Sequence, residues 1–498
     1  MSRDEIKLRY SGFILFISRI ISLLTGLIFS IIITRSLPAE EFGIWGNISD
    51  LLTYFTILAA MIPFWSRRSL ARGLTEAAKT GFVANMLISA IMTIIYLALL
   101  PALISVLGVS PTYMFLYALI ALQIPEIYAR IALTSILHVK KPETMGYGLL
   151  IFEICKVLVV IVLILNFKMG LIGAIYAVMI AHAIRITYYT FLTKNDLLEG
   201  TVKWGYIKEW AKASLLNVYN LIGVRISTLP LLLLFIYGGE TARAYYGAAQ
   251  TIASIIGYAS FLAYVLYPRL LVELNKKDIL ITLKSVLMFT IPMTAGAIVL
   301  SDSYMTILNI MYKNAQMVLV ILAIGAFFES VSSVFEYVIL GAEKFDEKAN
   351  ISIKELVKTD IFKLFSLPYV ISILSIPAAY IALLQSNDAL VSAIYVSAIM
   401  VASKIFLSLV KYILSRKHLT ISIPMNAISK YIFATIVMVV FLALLPHPMT
   451  IRYTFSVTLL GAGVYFAVLY AIDRETRELA RLSFKEIRLR LKNSLNYL

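Results

Sequence analysis

A chain of 498 residues that is 60% hydrophobic and only 14% charged cannot be an ordinary water-soluble domain, in which charged residues come nearer to a quarter. Its formal net charge of +16 could suggest a nucleic-acid partner, but the basic residues sit in short segments between long apolar runs. A membrane surface explains that placement better, and no nucleic acid is expected.

The first run, residues 11–34, exceeds the ~20 residues a helix needs to cross a bilayer and contains one charge, Arg19. Arg3, Lys7 and Arg9 precede it with no small-residue cleavage site nearby, so an uncleaved first helix is expected. The segment Arg35-Ser36-Leu37-Pro38-Ala39-Glu40-Glu41-Phe42-Gly43 predicts a hinge, because proline fixes φ and cannot continue a helical ladder. A second span over 43–66 carries Asn47 and Asp50 and closes on Arg67, Arg68 and Arg72. An arginine inside a span is costly enough to suggest a function by default.

Twelve further spans are expected: 80–107, 112–138, 144–166, 169–192, 214–237, 244–268, 279–301, 316–340, 361–384, 388–415, 427–446 and 452–472. If the N-terminus is cytoplasmic, 33 of the 44 Lys and Arg fall on that side, counting cations at the span ends. Only Arg35, Lys168, Arg243, Lys313 and Arg452 fall in outside loops. This asymmetry predicts an even number of spans in the plasma membrane with both termini cytoplasmic.

Residues 194–213 are polar, basic and amphipathic, and beyond them the chain restarts its opening pattern. Span seven carries Arg225, followed by Gly238-Gly239-Glu240 and then Tyr245-Tyr246-Gly247-Ala248-Ala249, set against Glu41-Phe42-Gly43-Ile44-Trp45. The closing Pro268-Arg269 of span eight stands against Ser66-Arg67 of span two. The expected architecture is an all-α polytopic membrane protein of about 14 transmembrane helices in two pseudo-symmetric six-helix lobes, with two extra C-terminal helices. The lobes would cover 1–193 and 214–424, joined by the linker 194–213, with added helices in 425–472 and a basic amphipathic tail over 473–498. That tail suits an anionic inner leaflet, with a solvated tail as the alternative. Residues 341–360 form a charged loop whose Asn350-Ile351-Ser352 has the form of a glycosylation acceptor, but a cytoplasmic loop would not meet the enzyme.

The first hairpin resembles the polysaccharide exporters of the multidrug/oligosaccharidyl-lipid/polysaccharide (MOP) flippase superfamily, and among them the O-antigen-type lipid-linked oligosaccharide flippases. Its first helix with an embedded Arg19, its hinge Arg-Ser-Leu-Pro-x-Glu-Glu-Phe-Gly-x-Trp and its basic closing cluster carry the likeness. The rest is a shared rhythm of hydropathy. The resemblance implies an alternating-access flippase that moves a polyprenyl-(di)phosphate-linked oligosaccharide to the outer leaflet for cell-surface polysaccharide or glycoprotein assembly.

Polar groups within the spans fall into classes. Glu126 with Arg130 (i,i+4) and Glu153 with Lys156 (i,i+3) are spaced for local neutralisation, which competes with a substrate role for Arg130. His182 and Arg185 lie near the end of span six, where Arg185 either binds substrate or reaches for the interface. Arg19, Arg225 and Lys404 have no acid at helical spacing on their own helices, so each needs a cavity or a partner. Guanidinium stays charged and grips phosphate oxygens in pairs, which makes Arg19 and Arg225 the expected anion ligands. Glu329 and Glu336, two turns apart, share a face and suit coupling to H⁺ or Na⁺, as does Asp50; alternatively Glu329 and Glu336 balance Lys404 or Arg225, and Asp50 pairs with an Arg from another helix.

No phosphate-cradling Gly-rich loop with Lys-Ser/Thr, metal-ligand cluster or Ser-His-Asp set stands out in this sequence, which has four His and one Cys, Cys155. No enzyme, cofactor or metal is expected. Three readings compete. The flippase would work with the lipid bilayer and with glycosyltransferases or a polymerase of a glycan pathway. A multidrug or organic-cation antiporter of the same superfamily would use Asp50, Glu329, Glu336 and the 30 Tyr, although Arg19 would repel its substrate. A scaffold for glycan assembly would depend on loops and tail alone.

Overall fold

The computed structural model describes residues 3–199, 201–264, 270, 275–342, 357–419, 423–447, 449–478 and 481; before position 21 only the side chains of residues 14, 18 and 19 are included. Among these residues all regular structure is helical. The helices group into two compact units, Met1–Thr251 with Phe365–Ile399, and Ile252–Leu364 with Met400–Leu498.

In the first unit, α1 (Arg3–Ser36) ends just before Pro38, whose backbone is extended (φ −61°, ψ 161°). α2 (Ala39–Phe55) starts at the next residue. The hinge is therefore shorter than the sequence predicts, because Glu40 and Glu41 suit the positive end of a helix and enter its first turn. The expected span 43–66 is also not one helix. The chain turns over Thr56–Ala60 and resumes as α3 (Met61–Ala71). Pro63, third in α3, offers no N–H to the carbonyl four residues back and crowds it, so the ladder cannot run through.

The same punctuation recurs. After α4 (Glu76–Leu107), the fourth span divides into α5 (Met114–Ile120) and α6 (Gln123–Lys140), with Pro125 third in α6. α7 (Glu143–Val160) loosens into a π turn over Ile161–Asn166, and α8 (Gly170–Leu198) follows. α9 (Trp204–Ala213), within the predicted amphipathic linker, buries Trp210 against Ile62, Leu70 and Ala77. α10 (Leu215–Ile226) and α11 (Leu229–Gly257) are separated by Ser227 and Thr228, with Pro230 second in α11. Proline alone does not break a helix, since Pro101 is absorbed inside α4. α11 bends at Gly239 (φ 81°, ψ 175°), a conformation open in practice only to glycine, so the predicted Gly238-Gly239-Glu240 hinge is a kink one residue wide.

The second unit contains α12 (Ser260–Tyr264), α13 (Lys276–Val299), α14 (Ser301–Leu308), α15 (Gln316–Ala342), α18 (Met425–Leu444) and α19 (Ile451–Ile472). α11, α16 (Asp360–Leu384) and α17 (Ala389–His418) contribute residues to both units. Leu283, Val286, Val334 and Val338 form a core with Tyr431, Met438, Leu442 and Tyr465, so α18 and α19 are integral to this unit. The Tyr465 hydroxyl donates to the Met288 carbonyl at 2.7 Å.

Eleven stretches among the described residues are long and apolar enough to cross a membrane. Ten match expected spans: the third to sixth and the ninth to fourteenth. The remaining one, Leu215–Ala263, has 49 residues. At ~1.5 Å per residue it would extend more than twice the ~30 Å hydrocarbon core if straight, and Gly239 interrupts it where the seventh and eighth spans were expected to meet. The chain is an all-helical polytopic membrane protein. The expected Pro268-Arg269 ending, most of the 341–360 loop with Lys348 and Asn350, and the tail beyond 481 lie outside the described residues.

Candidate functional site

The hairpins of the two apparent copies meet in the first unit, and glycine permits it. A Cβ on Gly43 would stand 1.9 Å from the Glu240 carbonyl oxygen, so α2 and α11 touch backbone to backbone there. A Cβ on Gly247 would come within 3.3 Å of the Phe42 ring. The two glycines matched in the sequence comparison thus both lie at the contact between the copies.

Beyond this contact α2 and α11 are joined by a largely buried ion pair. Arg243 Nε donates to Asp50 Oδ2 at 2.8 Å and Nη2 to Oδ1 at 3.1 Å, a two-pronged pair. Arg243 is 7% exposed, and its guanidinium lies 5.6 Å from the centre of the Tyr246 ring. Gly46 makes room for it, since a Cβ there would stand 2.8 Å from the guanidinium carbon. This corrects the assignment of Arg243 to an outside loop. Only Gly239 leaves helical geometry, so the chain is helical again by position 243 and the side chain turns inward.

Further along α2, Asn47 accepts from the Tyr117 hydroxyl at 2.7 Å, and Tyr54 lies 3.1 Å from the Thr228 hydroxyl at the α10–α11 break. Arg225, half-buried, lies in the last turn of α10 beside this break; its Nε is buried without a hydrogen-bond partner. Arg19 is exposed on α1.

A second polar network ties α1 to α7 and α8. Ser22 and Thr25 each donate to Glu153 at 2.7 Å, and Lys156 lies 2.8 Å from the same carboxylate. The i,i+3 pair read from sequence is therefore made. His182 stacks on Phe152 with ring centres 4.4 Å apart. Arg185 donates from Nε and Nη2 to the Tyr189 hydroxyl at 3.1 and 3.0 Å and is 9% exposed, so it does not reach for the interface. The i,i+4 pair is a different case. Among the described residues no ion pair joins Glu126 to Arg130, and Glu126 Oε2 and Arg130 Nε are both buried without partners. Arg130 instead lines a cavity of about 210 Å³ at the α2–α3 break, along with Arg67 and His138.

In the second unit the acids of α15 face the lysines of α17. Lys404 Nζ lies 2.7 Å from Glu329, and Lys411 Nζ lies 2.7 Å from Glu336. Both intervals are seven residues, so two rungs form two turns apart. Gly325 lets the helices close, because a Cβ there would meet Val401 at 2.6 Å and the Lys404 stem at 3.5 Å. Sequence reasoning missed Arg243 as a bundle residue and the cavity at Arg67; an arginine four residues from glycines on either side, at 239 and 247, was the available signal for the first.

Comparison with known proteins finds no matching family and no matching curated sequence. Solved structures do match. One, described as the lipid II flippase MurJ in an inward closed conformation, gives a TM-score of 0.61 at 15% identity over 93% of this chain and 99% of that one. An inward-facing multidrug resistance MATE family transporter of the MOP superfamily gives 0.59 at 14% identity, covering 80% of this chain and 94% of its own. An outward-facing MATE structure gives 0.51 at 14% identity, covering 82% and 94%. The chain has the fold of these polytopic membrane transporters.

Proposed function

We propose that this protein is a flippase that carries a polyprenyl-(di)phosphate-linked oligosaccharide from the cytoplasmic to the outer leaflet by alternating access. Its two apparent six-helix repeats would be the moving parts. The observation that carries this reading is the state of the charges within the helices. Asp50, Glu153, Glu329 and Glu336 are each engaged by a cation, through Arg243, Lys156, Lys404 and Lys411. Arg225 and Arg130 retain buried Nε groups with no partner. Among the described residues Glu126 is the one acid with a buried carboxylate oxygen in the same state, so the balance of unpartnered charge is positive, which suits an anionic substrate. The fold shared with MurJ over 93% of the chain supports the same reading.

Arg19 and Arg225 are assigned to the phosphates, with Arg130 and Arg185 of the same unit adding positive potential; Lys404, in the second unit, is engaged by Glu329. Each negative charge moved outward across an inside-negative potential gains ~2.3 kcal/mol per 100 mV, so a diphosphate with about two charges moves downhill. Glu329 and Glu336 would couple the return step to H⁺ or Na⁺ by releasing their lysines. Asp50 could join them only after the Arg243 fork opens. The cation antiporter is the second reading, favoured by the MATE neighbours; it would have to break ion pairs to expose its carboxylates.

The test is Arg→Ala and Arg→Lys at positions 19 and 225, in variants that insert and accumulate normally. Lipid-linked sugar should build up on the inner leaflet with Ala, and less so with Lys, which keeps the charge and loses the fork. Wild-type transport by both Ala variants would end the assignment.

A further inference from the structure

The cavity at the α2–α3 break holds Arg130 but neither Arg19 nor Arg225, the two residues assigned to the phosphates, and its wall is cationic. Arg67 from α3 and Arg130 and His138 from α6 line it, beside Phe64 and Pro63, and no carboxylate is among its lining residues. Its volume, about 210 Å³, is roughly seven times the ~30 Å³ share of one liquid water. Arg67 Nη1 lies 3.2 Å from His138 Nδ1. An arginine can only donate, so Nδ1 accepts and the ring proton sits on Nε2. Thr134 and Ser135, also in the wall, donate their hydroxyl protons to carbonyls of their own helix at 2.7 Å each, leaving the guanidiniums and the imidazole as donors. Arg130 Nε is buried there with nothing to receive its proton, a costly state for a charged donor. Glu126, one turn earlier on α6, does not line the cavity.

We propose that this cavity is a second phosphate site, in which Arg67, Arg130 and His138 grip a phosphate or diphosphate group. Guanidinium forks match phosphate oxygens, and the His138 Nε2 proton adds a third kind of donor. The chemistry fits both a lipid phosphate headgroup and a soluble phosphate. The site shares Arg130 with the charge balance behind the flippase reading but contains neither Arg19 nor Arg225, whose variants test that reading, so the two can fail separately.

The test uses the full-length protein with Thr134→Cys as a reporter and Cys155→Ser to silence the native thiol. Inorganic pyrophosphate, or phosphatidic acid in a phosphatidylcholine nanodisc, should slow maleimide labelling of position 134 at least fivefold. Arg67→Gln and Arg130→Gln should each abolish protection, Arg130→Lys should keep part of it, and Arg225→Gln should leave it intact. Protection by phosphatidic acid alone assigns the site to a lipid headgroup, whereas protection by pyrophosphate as well assigns it to phosphates in general. Native mass spectrometry of otherwise unmodified protein, counting bound pyrophosphate or phosphatidic acid, gives a second reading without the reporter. Equal binding in wild type and both Gln variants, or no binding of either probe at millimolar concentration, overturns the proposal.

Discussion

Arg243→Ala is the most informative single perturbation, because the geometry around that side chain sets its cost. The guanidinium makes two charge-assisted hydrogen bonds to Asp50, at 2.8 and 3.1 Å, and is 7% exposed; the Asp50 side chain is 19% exposed. Truncation leaves a largely buried carboxylate with no counter-charge, a loss of ~3–5 kcal/mol for such a pair. At ~1.4 kcal/mol per decade this lowers the folding equilibrium by about two to three and a half decades. Removing both charges, as Asp50→Asn with Arg243→Gln, should restore most of the loss, since no lone charge remains. Gly46→Ala should act in the same direction with a smaller loss, about 1.5–3 kcal/mol, by pushing the guanidinium off one prong. Reversible unfolding in mixed micelles with sodium dodecyl sulfate, followed by exposure of Cys155, measures all four proteins. Wild-type stability of Arg243→Ala, or a double variant no better than that single one, refutes the coupling.

Glu329→Gln and Glu336→Gln should abolish dependence of transport on an ion gradient while the protein still folds, because both rungs are partly exposed and worth ~0–1 kcal/mol each; gradient-independent transport by the wild type excludes a coupling role. Burial of Asp473 opposes its ionisation, but the Thr476 hydroxyl, the Lys430 ammonium at 3.0 Å and the Thr476 amide hold its carboxyl below the usual range. Its contribution is therefore complete above the unfolded carboxylate pKa of ~3.9 and is lost as pH falls through the lower folded value. Asp473→Asn should remove that part of the acid-induced loss in melting scans from pH 6 to pH 2, and an unchanged acid limb refutes the linkage. For topology, cysteine at Lys313 should label from outside intact cells and cysteine at Lys348 only after permeabilisation; the reverse pattern inverts the proposed orientation.

How much could be read from the sequence depended on whether a residue acts along its own helix or across helices. The run lengths placed ten spans, because ~20 apolar residues have few alternatives to crossing lipid. Gly239 and Pro38 marked their breaks by local chemistry that needs no partner. Pro63 was just as visible, yet Pro101 sits inside a continuous helix, so a proline's effect depends on what its neighbours can satisfy. Glu153 with Lys156 followed from spacing alone, while Glu126 with Arg130 had equally good spacing and is not paired. An arginine of another helix was foreseeable for Asp50, but not which one: the fork to Arg243 spans 193 residues of sequence and depends on Gly43, read as the end of a hinge, and on Gly46, which falls inside an expected span. Lys404 was legible as a balancing cation for the acids of α15, because it has no acid at helical spacing on its own helix, whereas Lys411 as the partner of Glu336 was not, since 75 residues separate each pair.

The proposed activity is tested most directly in proteoliposomes holding the purified protein and a short-chain polyprenyl diphosphate sugar, with a set membrane potential. Movement between leaflets is read from the fraction of sugar accessible to a membrane-impermeant oxidant. The account predicts protein-dependent movement that accelerates when the potential drives negative charge toward the oxidant-accessible leaflet, fails in Arg225→Ala, and is indifferent to organic cations. Ion-driven uptake of an organic cation with no movement of the lipid-linked sugar would contradict it.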